Sequence, residues 1–178
     1  MTTRMNGPLA IAACGLLAVS LTAGGQDARR DQADARLPAS VTVSRKPRAK
    51  IIDGYRAMAR LARQHGRIDR QLDVDEMSFA DLRSTLVREG VVDDGWGFIP
   101  MAGLKRAVLA YMAASYLDIR PGLLTSIFGM TRRYSYREMH HRGLMVQGQP
   151  RQVVSGSELL SVLTRVAAEV DRRDPDRQ

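Results

Sequence analysis

Apolar residues recur at helical intervals through the latter two thirds of the chain. Ile51, Tyr55, Met58 and Leu61/Ala62 fall at i, i+4, i+7 and i+10/i+11, which predicts a helix over 51–65. Phe79, Leu82, Leu86 and Val87 make a second stripe, over 78–89. Ser78 stands where an N-cap belongs, with Asp81 three residues on, and Gly90 follows the stripe as a terminating glycine. The strongest pattern covers 104–117, where Leu104, Ala107, Val108, Tyr111, Met112 and Ser115 share a face and Pro121 ends the run. Shorter helices are expected over 122–128, closed by Gly129, and over 135–142, closed by Gly143. Ser155 and Glu158 form a capping-box pattern ahead of Leu159, Val162, Leu163, Val166 and Val170, so a last long helix is expected over 155–171. No two segments alternate as paired strands do. The expected fold class is all-α.

The first 50 residues follow other rules. Arg4 is the only charge among residues 1–25, Leu9 to Ala23 is uncharged, and Ala23-Gly24-Gly25 is small throughout. A basic start, a short apolar stretch and a small-residue end read as a cleavable signal peptide over 1–25. The uncharged stretch has 15 residues, short of the roughly 20 that a spanning helix needs. Ile11-Ala12-Ala13-Cys14 offers an alternative, since it resembles the site at which bacterial lipoproteins are cut and acylated. The apolar run continues for nine residues past Cys14, however, where a lipoprotein cut would close it. Residues 26–50 mix Asp, Arg, Ala and Pro without apolar period and read as a disordered linker, with at most a short extended piece over 37–43. The expected organisation is therefore signal peptide 1–25, linker 26–50, helical domain 51–171 and charged tail 172–178.

Composition narrows the chemistry. Aromatics are 5%, so the core rests on Ala, Leu, Val and Met. Cys14 is the single cysteine, and cleavage after Gly25 removes it, which excludes disulfides, a thiol nucleophile and a Cys-ligated metal from what remains. Of the formal charge of +8, +7 lies beyond residue 25. Such an excess either coats a solvated surface or draws the protein to polyanions. Export turns the second reading away from nucleic acid and toward the acidic polymers of a cell envelope.

The chain also resembles itself. Gly90-Val91-Val92, a loop with Pro100 and a helix from Leu104 are followed by Gly143-Leu144-Met145, a loop with Pro150 and a helix from Val154. Pro100 and Pro150 are 50 residues apart, and the same offset pairs Leu104 with Val154, Leu109 with Leu159, Met112 with Val162 and Tyr116 with Val166. Two helix–loop–helix units, 78–117 and 135–171, are thus expected to pack on each other. Gly90-Val91-Val92, Phe98-Ile99-Pro100, Leu104-Lys105-Arg106-Ala107 and Ala110-Tyr111-Met112 resemble an S-layer homology repeat. That repeat runs helix, Gly-Ile-Ile, a loop ending Phe-x-Pro, then Ile-Thr-Arg-Ala-Glu opening a second helix. The second unit matches more loosely, and together the two cover about half of the chain. In the family the Thr-Arg-Ala-Glu segment contributes to binding pyruvylated cell-wall polysaccharide. Here Arg106 and Ala107 are kept, Lys105 replaces Thr and Val108 replaces Glu; the second unit keeps Glu158 but has Gly156 for Arg. The family works with three tandem repeats, and 51–71 is too diverged to count as a third.

Candidate chemistry is sparse. Asp93-Asp94-Gly95-Trp96-Gly97-Phe98 sets two carboxylates beside the only tryptophan. Trp96 either stacks on a sugar ring or plugs the core while Asp94-Gly95 makes the turn. Arg132-Arg133-Tyr134-Ser135-Tyr136-Arg137 interleaves cations with aromatics and either grips an acidic sugar or opens a solvated helix. His140 and His141 point about 100° apart on a helix and cannot share one ion, and His65 sits at a helix end. Asp73-Val74-Asp75-Glu76 lacks the Gly and Glu of a calcium loop, which leaves it as charge ahead of the next helix. No phosphate loop, serine elbow or zinc-protease pattern is present, and neither a metal nor a cofactor is expected. The ligand-binding candidates are Asp94, Trp96, Lys105, Arg106, Arg133, Tyr134 and Glu158. The expected function is a non-catalytic exported envelope protein, in the periplasm or at the cell surface, binding an acidic envelope polysaccharide or another exported protein. Membrane attachment is expected only if Cys14 is acylated. A structural component of an exported complex is the alternative. A hydrolase would need Asp93, Asp94 or Glu158 to meet a histidine.

Overall fold

The computed structural model describes residues 39–119 and 131–173, which belong to the unit Leu37–Gln178. The signal peptide, Cys14, linker residues 26–38, the 122–128 helix with Pro121, and residues 174–178 lie outside the described residues. The described chain is all-α. Its six helices are α1 (Ala39–Ser44), α2 (Ile51–Gln64), α3 (Phe79–Arg88), α4 (Arg106–Tyr116), α5 (Arg132–His141) and α6 (Gly156–Arg173). No described helix is long and apolar enough to cross a membrane.

Local chemistry explains the ends. The Ser78 hydroxyl accepts the Asp81 N–H at 3.2 Å, the Thr131 hydroxyl accepts the Tyr134 N–H at 3.2 Å, and the Ser155 hydroxyl accepts the Glu158 N–H at 3.1 Å. Helices α2, α3, α4 and α5 all close in the same way. At α3 the Gly90 N–H reaches the Val87 carbonyl and the Val91 N–H reaches that of Leu86, a Schellman cap. Gly66, Gly90 and Gly143 supply the left-handed residue, with φ of 66°, 70° and 70°. At α4 that position is held by Asp118, φ 46°. The expectation that Pro121 stops α4 is thereby corrected: the helix ends at Tyr116 because the backbone has already turned left-handed at Asp118.

The long helices α2, α4 and α6 begin at one ring of backbone bonds. The Ala49 N–H donates to the Val154 carbonyl, Val154 to Leu104, and Leu104 back to Ala49, each at 2.9 Å. Short antiparallel bridges flank the ring, Lys50 with Gly103 and Lys105 with Val153. The pattern continues outward, where Ile52 N–H donates to the Pro100 carbonyl and Ala107 N–H to that of Pro150. Leu104 and Val154, paired by sequence offset, thus hold equivalent places, and Ala49 supplies a third. All three are fully buried.

Each short helix packs on one long helix: α3 and α5 on the helices before them, α2 and α4, and α1 on α6 at the other end of the described chain. The third hairpin is therefore assembled from the two ends of the unit. This corrects the reading of 39–50 as linker. Val43 is buried, and its carbonyl lies so close to Gly156 that a Cβ there would run into it. The Lys46 ammonium holds Asp53 at 2.7 Å. The charged tail also begins later than expected. Arg172 and Arg173 extend α6 by bonding Glu169 at 2.8 Å each. Burial works to raise the Glu169 carboxyl, but the hydrogen bonds from these two arginines outweigh it and leave its pKa lowered.

At the far ends the long helices meet again. His65 Nδ1 is 2.7 Å from the Tyr116 hydroxyl, and Arg173 donates to the Leu117 carbonyl at 2.7 Å. The three long helices consequently run in the same direction, with all N-termini at the ring.

Candidate functional site

The loop ahead of α6 is built against α4 and α5. Tyr136 is buried, and its hydroxyl accepts the Gly148 N–H and donates to the Gly148 carbonyl, both at 2.7 Å. Arg106 lies over Gly148, where a Cβ would collide with its guanidinium. The Arg106 side chain then forks onto Glu158, Nε to Oε1 at 2.5 Å and Nη2 to Oε2 at 3.0 Å, while Nη1 reaches Gln152 at 2.8 Å. Both partners are largely shielded, with side chains 13% and 16% exposed. The Glu158 hydrogen bond raises the pKa of the Arg106 guanidinium, a group that is charged in any case. Glu158 satisfies only half of the expected capping box: its backbone bonds Ser155, but its carboxylate goes to Arg106.

The brace leaves a cleft of about 510 Å³ between the start of α4, the start of α5 and the 149–151 turn. Its lining is Ala107, Arg132, Arg133, Gln149, Pro150 and Arg151. Arg132 and Arg133 open α5, whose first turn carries no acidic residue. Cations there oppose the helix dipole, which favours negative charge at an N-terminus. Arg132 is held in place by the ring faces beneath it, 4.6 Å from the Trp96 centroid and 5.1 Å from that of Phe98. Arg133 and Arg151 are exposed. Three guanidiniums above an apolar floor of Ala107 and Pro150 form a surface suited to an anionic chain with hydrophobic ring faces.

The predicted site residues separate into groups. Arg133 lines the cleft. Arg106 and Glu158, expected to face a ligand, are bonded to each other and support the cleft from below. Trp96 is corrected more firmly. It is 6% exposed, edge-on to Phe98 at 5.1 Å and tilted against Tyr111 at 4.8 Å, so its ring is no platform for a sugar. It positions Arg132 instead. Asp94 is paired with Arg83 of α3 at 2.9 Å and does not line the cleft. Lys105 is exposed beside the ring, and Tyr134 is half-buried in the first turn of α5; neither lines the cleft. Sequence reasoning missed Arg151 and Gln149. Their one signal was the repeat offset, which sets them opposite Met101 and Ile99.

The hydrolase requirement meets a different arrangement. Asp93 accepts the Gly95 N–H at 2.7 Å, Asp94 holds Arg83 and Glu158 holds Arg106. His65 sits 3.6 Å from Asp171 at the opposite ends of the helices, and His140 and His141 end α5. Among the described residues no three His, Cys, Asp or Glu side chains gather as a metal site. A second cleft, about 530 Å³, lies along α2 between Arg60, Arg63, Gln64 and Arg70. Arg60 there is paired with Asp75, and Arg63 donates to the Leu72 carbonyl at 2.9 Å, so these side chains pin the 69–76 loop. In comparisons with known proteins, no family model, no curated protein and no solved structure matches the chain.

Proposed function

We propose that the protein is a non-catalytic module that binds an acidic glycan of the cell envelope in the Arg132–Arg133–Arg151 cleft. The observation that carries this reading is the pair of arginines at the start of α5, set against the dipole and converging with Arg151 on one concave surface. A local rule broken at a concave site marks a place shaped for a ligand. Carboxylated or phosphorylated sugars suit it, because guanidinium forks take such groups bidentately while Pro150 and Ala107 underlie the ring. The resemblance to S-layer homology repeats supports the same region, since Ala107 of the similar motif lines the cleft. Export is proposed from residues 1–25, and the envelope is where an exported cation-rich module meets polyanions.

The test is a pull-down of the protein by isolated envelope material. Retention at low salt with release at high salt is expected, as for screened ionic contacts. Absence of retention at low salt would sink the glycan reading.

A further inference from the structure

The three loops that meet at the backbone ring share a charge pattern. Segments 45–52, 99–107 and 149–157 hold seven basic residues and no acidic one. Lys46 and Arg106 are matched by Asp53 and Glu158. Arg48, Lys105 and Arg151 are exposed, and Lys50 is half-buried among them. The N-termini of α2, α4 and α6 start at the same ring and add their partial positive charge. One pole of the described part of the Leu37–Gln178 unit is therefore strongly positive.

The same pole exposes apolar side chains. Ile99 and Met101 are 69% and 62% exposed, the two most exposed large hydrophobic residues described. They flank Pro100 in a tight turn closed by the Ala102 N–H on the Ile99 carbonyl at 3.0 Å. The Lys50 ammonium stands 3.9 Å from Met101 Sδ. Met101 occupies the place that Arg151 holds in the equivalent loop, so this turn has an apolar tip where its counterpart has a charge.

Charge and apolarity together discriminate between partners. A soluble polyanion would use the cations and leave Ile99 and Met101 in water. An anionic bilayer uses both, with ammonium and guanidinium groups at the headgroups and the two side chains between them. Each basic residue near such a surface strengthens binding about fivefold at low salt. We propose that this pole is a peripheral docking surface for anionic lipid bilayers, with Ile99 and Met101 inserting and Arg48, Lys50 and Lys105 contacting the headgroups. The surface is distinct from the glycan cleft, although Arg151 borders both, and it needs no acyl chain on Cys14.

The test places an environment-sensitive fluorophore at Met101→Cys in the full chain carrying Cys14→Ser. Probes are mixed phosphatidylglycerol–phosphatidylcholine vesicles, pure phosphatidylcholine vesicles and soluble polygalacturonate. The expected result is a blue shift, with quenching by a bilayer-embedded quencher, on the anionic vesicles alone. A label at Leu72→Cys, near the opposite pole, should stay in water, and this control separates docking from capture by the apolar 9–23 segment. Adding Ile99→Ser should weaken vesicle binding about tenfold with helical circular dichroism unchanged. A Met101 label that stays in water while the chain sediments with anionic vesicles would overturn the proposal. So would an equal shift on neutral vesicles, or a shift produced by polygalacturonate without lipid. Arg133→Glu should leave the shift intact while weakening polygalacturonate binding about tenfold, so the two readings can fail separately.

Discussion

Tyr55 is fully buried and stacks on Phe79 with ring centroids 5.1 Å apart, yet its hydroxyl finds no hydrogen-bond partner among the described residues. Burial pushes its pKa up to about 12, only partly offset by the charges of Arg83 and Arg132. The folded state thus holds the phenol proton more tightly than the unfolded chain does. That contribution to stability is complete below the ordinary tyrosine pKa near 10 and is lost as pH rises toward about 12. Because the buried hydroxyl is unpaired among the described residues, Tyr55→Phe should raise stability at neutral pH by about 1 kcal/mol. It should also flatten the alkaline decline, measured by urea denaturation at neutral and strongly alkaline pH. A loss of stability at neutral pH would mean that the hydroxyl has a partner after all. The Arg106–Glu158 pair predicts the opposite sign. Glu158→Gln leaves a shielded guanidinium without its counter-charge and should cost about 3 kcal/mol, while Lys105→Gln, at an exposed neighbour, should change stability by less than about 0.5 kcal/mol. At this scale the sequence shows residue type but not partner. Arg106 and Glu158 each look like ligand-facing charges until the fold sets them 2.5 Å apart. Trp96 carries two readings in its loop, and only its contacts with Phe98 and Tyr111 decide between them.

Helix ends were the most legible elements, because caps are local. Ser78, Ser155, Gly90 and Gly143 all act where their spacing from the apolar stripes places them. Asp118 was not legible, since nothing but the fold obliges an aspartate to take the left-handed position. The glycines provide a controlled comparison. A Cβ at Gly143 would meet open space, so Gly143→Ala tests the backbone alone and should cost about 1 kcal/mol. Gly156 begins α6 under the Val43 carbonyl, so Gly156→Ala must displace α1 and should cost more than about 2 kcal/mol. Equal losses in thermal denaturation of the two variants would show that α1 does not press on α6. Helix α1 itself could not be read from sequence. Its six residues span less than two turns, too few to show a period, and a helix that short persists only through packing.

At the scale of the whole molecule, the repeat offset of 50 residues identified Leu104 and Val154 as equivalent, and both sit in the backbone ring. The third member escaped because its hairpin is divided: α6 ends the described chain and α1 begins it, and no linear alignment joins them. The all-α class followed from periodicity, whereas the basic cleft did not, because Arg132 and Arg133 open α5 while Arg151 lies in the 149–151 turn, and only the folded chain sets them side by side. Such a cleft predicts steep salt dependence and a discrete loss on charge reversal. The most direct measurement is calorimetric titration of the full chain with polygalacturonate at low salt, comparing the wild type with Arg133→Glu/Arg151→Glu. Both positions are exposed, so the variant should keep its fold. Saturable binding by the wild type, weakened at least about a hundredfold in the variant, is the predicted result. Equal affinity of the two proteins, or no binding by either, would contradict the assignment of the cleft.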